Sequence, residues 1–478
     1  MTTSFRDPAG RLSIIDGRVV RVIDRSASSD FSAFLESKTV QNFLSKGQIV
    51  RTEQLDDAAR SRLAENSVFR EMLDSCDVGA IVEHERIPFQ SFPYEWAPEM
   101  LWAAGELTLD IAEGLLQEGL GLKDATPYNI LFRGAQPVFV DVLSIERREA
   151  ADPIWLPSEQ FQRTFLRPLL TNKHFGIGLD QIFITHRDGL FPEMVNQLTG
   201  PLQKLSPSFL SLVSLPTFFS KPTLAHKPGI YQKRTIDNPE KARFILGRQL
   251  SSLRRKLESL KPSTSRSSNW SDYMAQNQYS ESYFPDKERF VQGALSEVEP
   301  ARVLDVGCNT GHFSNMAATA GAQVVSIDSD PVVIGNNWLR AAKDNASILP
   351  LMVDLTRPTP SVGWRNLECS SFLERSRGAF DCVMMLAVIH HMLITERIPL
   401  REIMRLASEL TSNLLIIEYV SPEDPMSLVL SRGRDHLYQH LTREHFEQVS
   451  SMYFETVRVE QLGGTQRWLY MMRRKQDA

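Results

Sequence analysis

The stretch Val303-Leu304-Asp305-Val306-Gly307-Cys308-Asn309-Thr310-Gly311-His312-Phe313-Ser314 decides the fold. It reads as a short apolar strand, a glycine turn and the first residues of a helix. A second apolar strand, Val324-Val325-Ser326-Ile327, follows about twenty residues after the first and ends in Asp328. Strand, glycine turn, helix and acid-tipped strand make the βαβ unit that binds nucleosides and dinucleotides. Gly307 and Gly311 allow a sharp turn and close approach of a ligand to the backbone. Asp328 is placed to accept hydrogen bonds from both ribose hydroxyls.

The run Asp305-Val-Gly-Cys-Asn-Thr-Gly311 resembles motif I of the class I S-adenosylmethionine-dependent methyltransferases more than a nicotinamide site. The resemblance implies that the amino end of a bound methionine moiety lies near Asp305 and this loop. Asn309 stands where the family has its middle glycine, and Asn enters left-handed backbone more readily than most residues. Downstream, Ile348–Val353 reads as a third strand tipped by Asp354-Leu355, where the family meets the adenine amino group and ring. Phe380–Leu386 is a fourth strand, apolar throughout as a central parallel strand is. Asn413–Tyr419 is a fifth, and strands near Phe454–Val459 and Trp468–Met472 follow. Helices are expected at Asp286–Leu295, Pro331–Leu339, Ser361–Arg375, Glu396–Leu410 and Thr442–Ser450. The order gives a Rossmann-like, seven-stranded α/β methyltransferase domain with ligands at the strands' carboxyl ends.

Methyl transfer displaces a sulfonium and often needs a base for the nucleophile's proton. The fourth strand runs into His390-His391, and histidine titrates near neutrality. His391, ahead of His390, is the candidate base; loop positioning is the other reading of the pair. Adjacent histidines are expected to point apart, so no zinc pair is read there. Glu418, at the end of the fifth strand, can bind the acceptor or orient a histidine. An aromatic lead-in, Trp270, Tyr273, Tyr279, Tyr283 and Phe284, can cover the cofactor or simply pack. Arg432, Arg434 and Arg443 suit an anionic acceptor group or a solvated surface.

The first half has its own pattern. Two β-like runs flank Asp16-Gly17, a hairpin signal. Helices are expected near 29–45, 57–75 and 98–118, with a strand from Ala80. Lys123-Asp124-Ala-Thr-Pro-Tyr-Asn129 and the strand ending in Asp141 resemble the catalytic loop and metal-binding Asp of protein-kinase-like phosphotransferases. That resemblance implies an α+β kinase-like domain. Asp124 would receive a hydroxyl proton, and Asn129 and Asp141 would hold Mg²⁺ with ATP. Leu122 replaces the usual His or Tyr, no Phe-Gly follows Asp141, and no glycine-rich phosphate loop or strand lysine is evident; Arg21 can stand in for the lysine. An active phosphotransferase, a binding or docking module, and a chance match all stay open. Phe92-Pro-Tyr-Glu-Trp96, Leu122–Asn129 and Val138–Ser144 also resemble a bacterial family of nodulation-protein-like methyltransferases, in which this leader precedes a methyltransferase domain.

The chain has 478 residues, 42% hydrophobic and 23% charged, with net charge −5. That length calls for two domains. The boundaries read as 1–230, kinase-like; 231–269, a basic helix and a breaker-rich linker; and 270–478, methyltransferase. The acidic balance gives no reason to expect nucleic acid. Cys76, Cys308, Cys369 and Cys382 form no CxxC pair, the pattern of a reducing compartment. With a polar amino terminus and no long apolar run, a cytoplasmic protein without membrane partner is expected. The expected activity is methyl transfer from S-adenosylmethionine to O or N of a small molecule or saccharide. The alternatives are a bifunctional kinase-methyltransferase and a non-catalytic S-adenosylmethionine-binding module with a docking domain.

Overall fold

The structure, a computed structural model, describes residues 6–219, 235–263, 268 and 280–476. The chain divides into two compact units. Unit 1 spans Met1–Ser263 together with Ser361–Ser370, and unit 2 takes the remainder.

Unit 1 begins with the hairpin β1 (Gly10–Ile15) and β2 (Arg18–Asp24), paired Ile15 to Arg18 around the turn. Asp16 and Gly17 both hold positive φ, the geometry of a tight two-residue hairpin. α1 (Ser28–Glu36) and α2 (Lys38–Ser45) follow, broken at Ser37, which caps α2. β3 (Thr52–Gln54) and β4 (Val78–His84) complete a four-stranded sheet ordered β1-β2-β4-β3. One sheet face buries Val20, Val22 and Ile81 against Ala59 and Leu63 of α3 (Asp57–Leu63) and Phe69 and Met72 of α4 (Ser67–Asp74). The long helix α5 (Pro98–Gln117) leads to β5 (Leu120–Leu122) and the hairpin of β6 (Ile130–Arg133) and β7 (Gln136–Phe139); β8 (Ile145–Arg147) then pairs with β5. The basic helix α6 (Pro239–Ser259) belongs to this unit. It buries Leu246, Leu250, Leu253 and Leu257, Trp102 of α5 donates its indole N–H to the Leu257 carbonyl at 3.1 Å, and Arg254 pairs with Asp110 and Glu113.

Unit 2 opens on α7 (Ser280–Val298). Trp270, Tyr273 and Tyr279 of the aromatic lead-in lie outside the described residues. The sheet is ordered β11-β10-β9-β12-β13-β15-β14. Its strands are β9 (Arg302–Val306), β10 (Gln323–Asp328), β11 (Ile348–Met352), β12 (Phe380–Met385), β13 (Thr411–Val420), β14 (Phe454–Gln461) and β15 (Arg467–Arg474). The first five are mutually parallel, and β15 lies antiparallel between β13 and β14. β9, with β10 on one side and β12 on the other, is where the winding reverses, and a crevice opens at such a point. Helices α8 (His312–Thr319), α9 (Pro331–Asp344), α10 (Leu400–Leu410), α11 (Pro425–Ser431) and α12 (Arg443–Ser450) complete the unit.

One expected helix is corrected. Ser361–Ser370 is irregular and part of unit 1, and the helix is confined to Phe372–Ser376. Gly363, Arg365 and Asn366 all carry positive φ, which no right-handed helix accommodates. Ser371 then starts the short helix through a capping box with Glu374. No described helix is long and apolar enough to cross a membrane.

Candidate active site

The glycine turn closes the carboxyl end of β9. Gly307, Asn309 and Gly311 all hold left-handed backbone, with φ of 69°, 48° and 82°. The Asn309 carboxamide accepts from the Thr310 N–H at 2.6 Å, a local bond that suits Asn to this conformation. The N–H groups of Gly307 and Cys308 donate to the Ile327 carbonyl at 2.9 and 3.1 Å, which locks the turn onto β10. A side chain at Gly307 would press within 3.0 Å of Val388.

A cavity of about 330 Å³ lies beside this turn. Asp305, Gly307, Asn309, Asp328, Asp354 and Leu355 line it; Gly311 does not, but opens α8 immediately below. Asp328 accepts the Asn309 N–H at 3.0 Å on one oxygen and the Asp330 N–H at 3.1 Å on the other. Each oxygen keeps a lone pair for a ribose hydroxyl. Burial pushes the Asp328 carboxyl up, opposed by those N–H donors. Asp305 is fully enclosed and accepts from the Ser314 hydroxyl at 2.6 Å; burial raises its carboxyl to about 6, against the pull of Ser314 and Lys287. Asp354 is held by the N–H and hydroxyl of Thr356 at 2.9 and 2.6 Å. Three separated carboxylates along one crevice fit an adenosyl group with a methionine end.

The two histidines differ in position. His391 lines the cavity and begins a π-helical turn, His391–Thr395; His390 does not line it and is buried, its Nδ1 without a hydrogen-bond partner. Their rings do not diverge: the centroids stand 4.3 Å apart at 45°, because the chain bends at Ala387 (φ 53°) before the π turn. Burial lowers His391 below the ordinary imidazole range, and Arg467 adds to it; His390 is driven further down by burial, His391 and Arg467. No group of three or more metal-ligating residues occurs among the described residues.

Glu418 is fully buried and does not line the cavity. One carboxylate oxygen meets Lys287 Nζ at 2.6 Å, the other Arg467 Nη1 at 3.4 Å. Lys287 and Arg467 do line the cavity. Arg467 also grips Asp424 through Nε and Nη2, at 2.9 and 3.0 Å, and reaches the Tyr283 hydroxyl at 3.3 Å. Burial works against its charge, but Asp424 and Glu418 outweigh burial and hold its pKa above the ordinary range. Sequence reading missed Lys287 and Arg467. Neither belongs to a local motif, and only the fold brings them to Glu418.

In unit 1, Asp124 and Asp141 are tied through Ser144. The Ser144 hydroxyl meets the Asp124 N–H at 3.2 Å, and the Ser144 N–H donates to the Asp141 carbonyl at 3.1 Å. Asp124 also accepts from Gln160 Nε2 at 3.2 Å. Arg21 of β2 places Nη1 3.0 Å from Asp141 Oδ1. Asn129 follows in the same loop; its carbonyl accepts the Val140 N–H at 2.9 Å, while its side-chain Nδ2 is buried without a hydrogen-bond partner. Arg432, Arg434 and Arg443 do not line the cavity of unit 2.

Residues 276–456 match the family described as a methyltransferase domain. The nodulation protein NoeA of Rhizobium meliloti (strain 1021) is 28% identical over 475 residues, which cover 99% of this chain and 96% of its own. Among solved structures, the N-methyltransferase NodS from Bradyrhizobium japonicum WM9 aligns with 41% of this chain and 98% of its own, at 14% identity and a TM-score of 0.31. WbdD, described as a bifunctional kinase-methyltransferase, aligns with 42% of this chain and 41% of its own, at 20% identity and a TM-score of 0.31. Similarity at that level bears on neither activity nor substrate. The methyltransferase domain covers the glycine turn and all three cavity carboxylates, and the chain is an S-adenosylmethionine-dependent methyltransferase.

Proposed function

We propose that the enzyme methylates an oxygen or nitrogen of a small-molecule or saccharide acceptor, with His391 as general base. One observation carries this reading: a depressed, neutral imidazole shares its cavity with Asp305, Asp328 and Asp354. Bound S-adenosylmethionine supplies an electrophilic methyl group on a sulfonium. Asp328 would hold the ribose hydroxyls, and Asp354 with Leu355 would hold the adenine. Asp305 of β9 and Lys287 of α7, of opposite charge and both lining the cavity, would hold the ammonium and carboxylate of the methionine moiety. His391 would take the acceptor's O–H or N–H proton at a ring nitrogen as the acceptor bonds the methyl carbon and the carbon–sulfur bond breaks, with S-adenosylhomocysteine leaving, since a neutral imidazole is competent to do so. Glu418 acts behind the site, holding Lys287 and Arg467 in place. The nodulation-type resemblance points the acceptor towards a carbohydrate or secondary metabolite.

The test is release of S-adenosylhomocysteine from S-adenosylmethionine across a panel of amino and hydroxy saccharides. Turnover by the wild type that is lost in His391→Ala supports the reading. Full turnover by that variant removes His391 from the chemistry.

A second reading, phosphotransfer in a kinase-like unit 1, is favoured by the junction of Asp124 and Asp141 at Ser144, with Arg21 where a strand cation belongs. Asp124, Asn129 and Asp141 supply the hard oxygens Mg²⁺ takes, though a cation at Asp141 must compete with Arg21. Calorimetry with Mg·ATP tests it: no heat of binding removes the phosphotransfer reading.

A further inference from the structure

Behind the glycine turn lies a polar side chain that the reaction does not touch. Asn337 of α9 is 1% exposed. Its carboxamide lies flat against Gly311: a Cβ built there would fall 2.3 Å from Oδ1, 2.4 Å from Cγ and 2.6 Å from Nδ2. Nδ2 donates to the Ser326 hydroxyl at 3.0 Å and approaches Cys308 Sγ at 3.8 Å. Ser326 is fully buried on β10, two residues before Asp328. One amide therefore touches the helix after the second strand, that strand itself, and both ends of the turn from Cys308 to Gly311. Burying a carboxamide is costly unless its bonds are made. Here the bond made ties α9 to β10 behind the turn, beside the backbone bonds that hold Gly307, Cys308 and Asn309 to Ile327 and Asp328.

We propose that Asn337 is a positioning residue for the methyl donor. It braces the Cys308–Gly311 turn from behind, so that the turn and the Asp328 carboxylate keep the spacing that grips the adenosyl group. The brace is steric as well as polar. Gly311 is left-handed and has no room for a side chain because Asn337 fills that space. The inference rests on the donor-site reading above.

The experiment is calorimetric titration of the full chain with S-adenosylhomocysteine, on wild type, Asn337→Ala, Ser326→Ala and the double variant. Loss of the brace raises Kd about tenfold in Asn337→Ala, and loss of its acceptor raises Kd about threefold in Ser326→Ala. Ser326→Ala melts within about 4 °C of wild type without ligand, so its weaker binding is not unfolding. The double variant binds no more weakly than Asn337→Ala, because the two side chains act as one unit. Wild-type affinity in both single variants overturns the inference, as do fully additive losses. If Asn337→Ala does not fold, Ser326→Ala decides alone. Wild-type protein that fails to bind S-adenosylhomocysteine overturns the donor-site reading and the inference with it.

Discussion

Asn309 shows how far one residue can depart from a pattern without losing its geometry. It sits left-handed between two left-handed glycines and bonds its own carboxamide to the next N–H. Asn309→Gly is therefore expected to bind S-adenosylhomocysteine within about threefold of wild type, whereas Asn309→Val loses binding, since a β-branched residue resists positive φ. Asp328→Asn removes the charged acceptor of the Asn309 N–H and, on the proposed reading, of the ribose hydroxyls. Its affinity is expected to fall by about 10- to 100-fold in the same titration. His84 and His390 make a prediction in pH. Both are buried, and burial holds their folded pKa well below 6.5. Below pH 6.5 the unfolded chain binds protons that the folded chain refuses, so stability falls as pH drops from there towards the folded values. Replacing either with Gln is expected to flatten that acid limb in thermal melts from pH 7 to 5. Asp328 and Asp354 were legible in sequence because each tips a strand. Lys287, Arg467 and Asn337 were not, because no spacing along the chain says which distant side chain they meet.

Elements set the electrostatics of the cavity. Lys287 comes from α7, Glu418 from β13, Arg467 from β15, and Asp424 caps α11 by accepting the Met426 N–H at 2.9 Å. The two cations and two carboxylates alternate, so each buried charge has an opposite neighbour. Glu418→Gln leaves Lys287 and Arg467 facing a neutral group and is expected to cost about 3–5 kcal/mol of stability, read by denaturant melts. A variant as stable as wild type yet inactive would return Glu418 to direct chemistry. Arg467 also helps keep His391 neutral. Arg467→Gln is expected to move the acid limb of the pH–rate profile upwards, towards the ordinary histidine value, provided the variant folds. The parallel strands were readable from their apolar runs and the hairpin from Asp16-Gly17. The break at 361–370 was harder to read: Gly363 and Asn366 are weak helix formers that a helix can still absorb, and the positive φ of Gly363, Arg365 and Asn366 that excludes one is set in the folded chain.

At the scale of the molecule, composition and length pointed to two bodies, but the division is not a single cut. Unit 1 recovers Ser361–Ser370 from far along the chain. Glu368, with little exposure, pairs with Arg187 and, at 2.7 Å, with Arg6. Cys369 is buried in the same segment, and the neighbouring Tyr128 hydroxyl is pushed to a high pKa by burial and by Cys369. Glu368→Ala is expected to lower the melting temperature of unit 1 by about 2–4 °C, because Arg187 loses its anion. A fragment ending at Ser263 is expected to be less stable than the same residues in the full chain, as hydrogen exchange at 125–130 would show. No linear pattern marks such a return; it is a property of the contacts. It also sets an order of events during synthesis. A ribosome finishes Ser263 roughly 100 residues before Ser361–Ser370 is made, or roughly 5–20 s earlier at ordinary elongation rates. For that interval the amino-terminal body is lacking a part, and its completion waits on the synthesis of β11 and its outgoing loop.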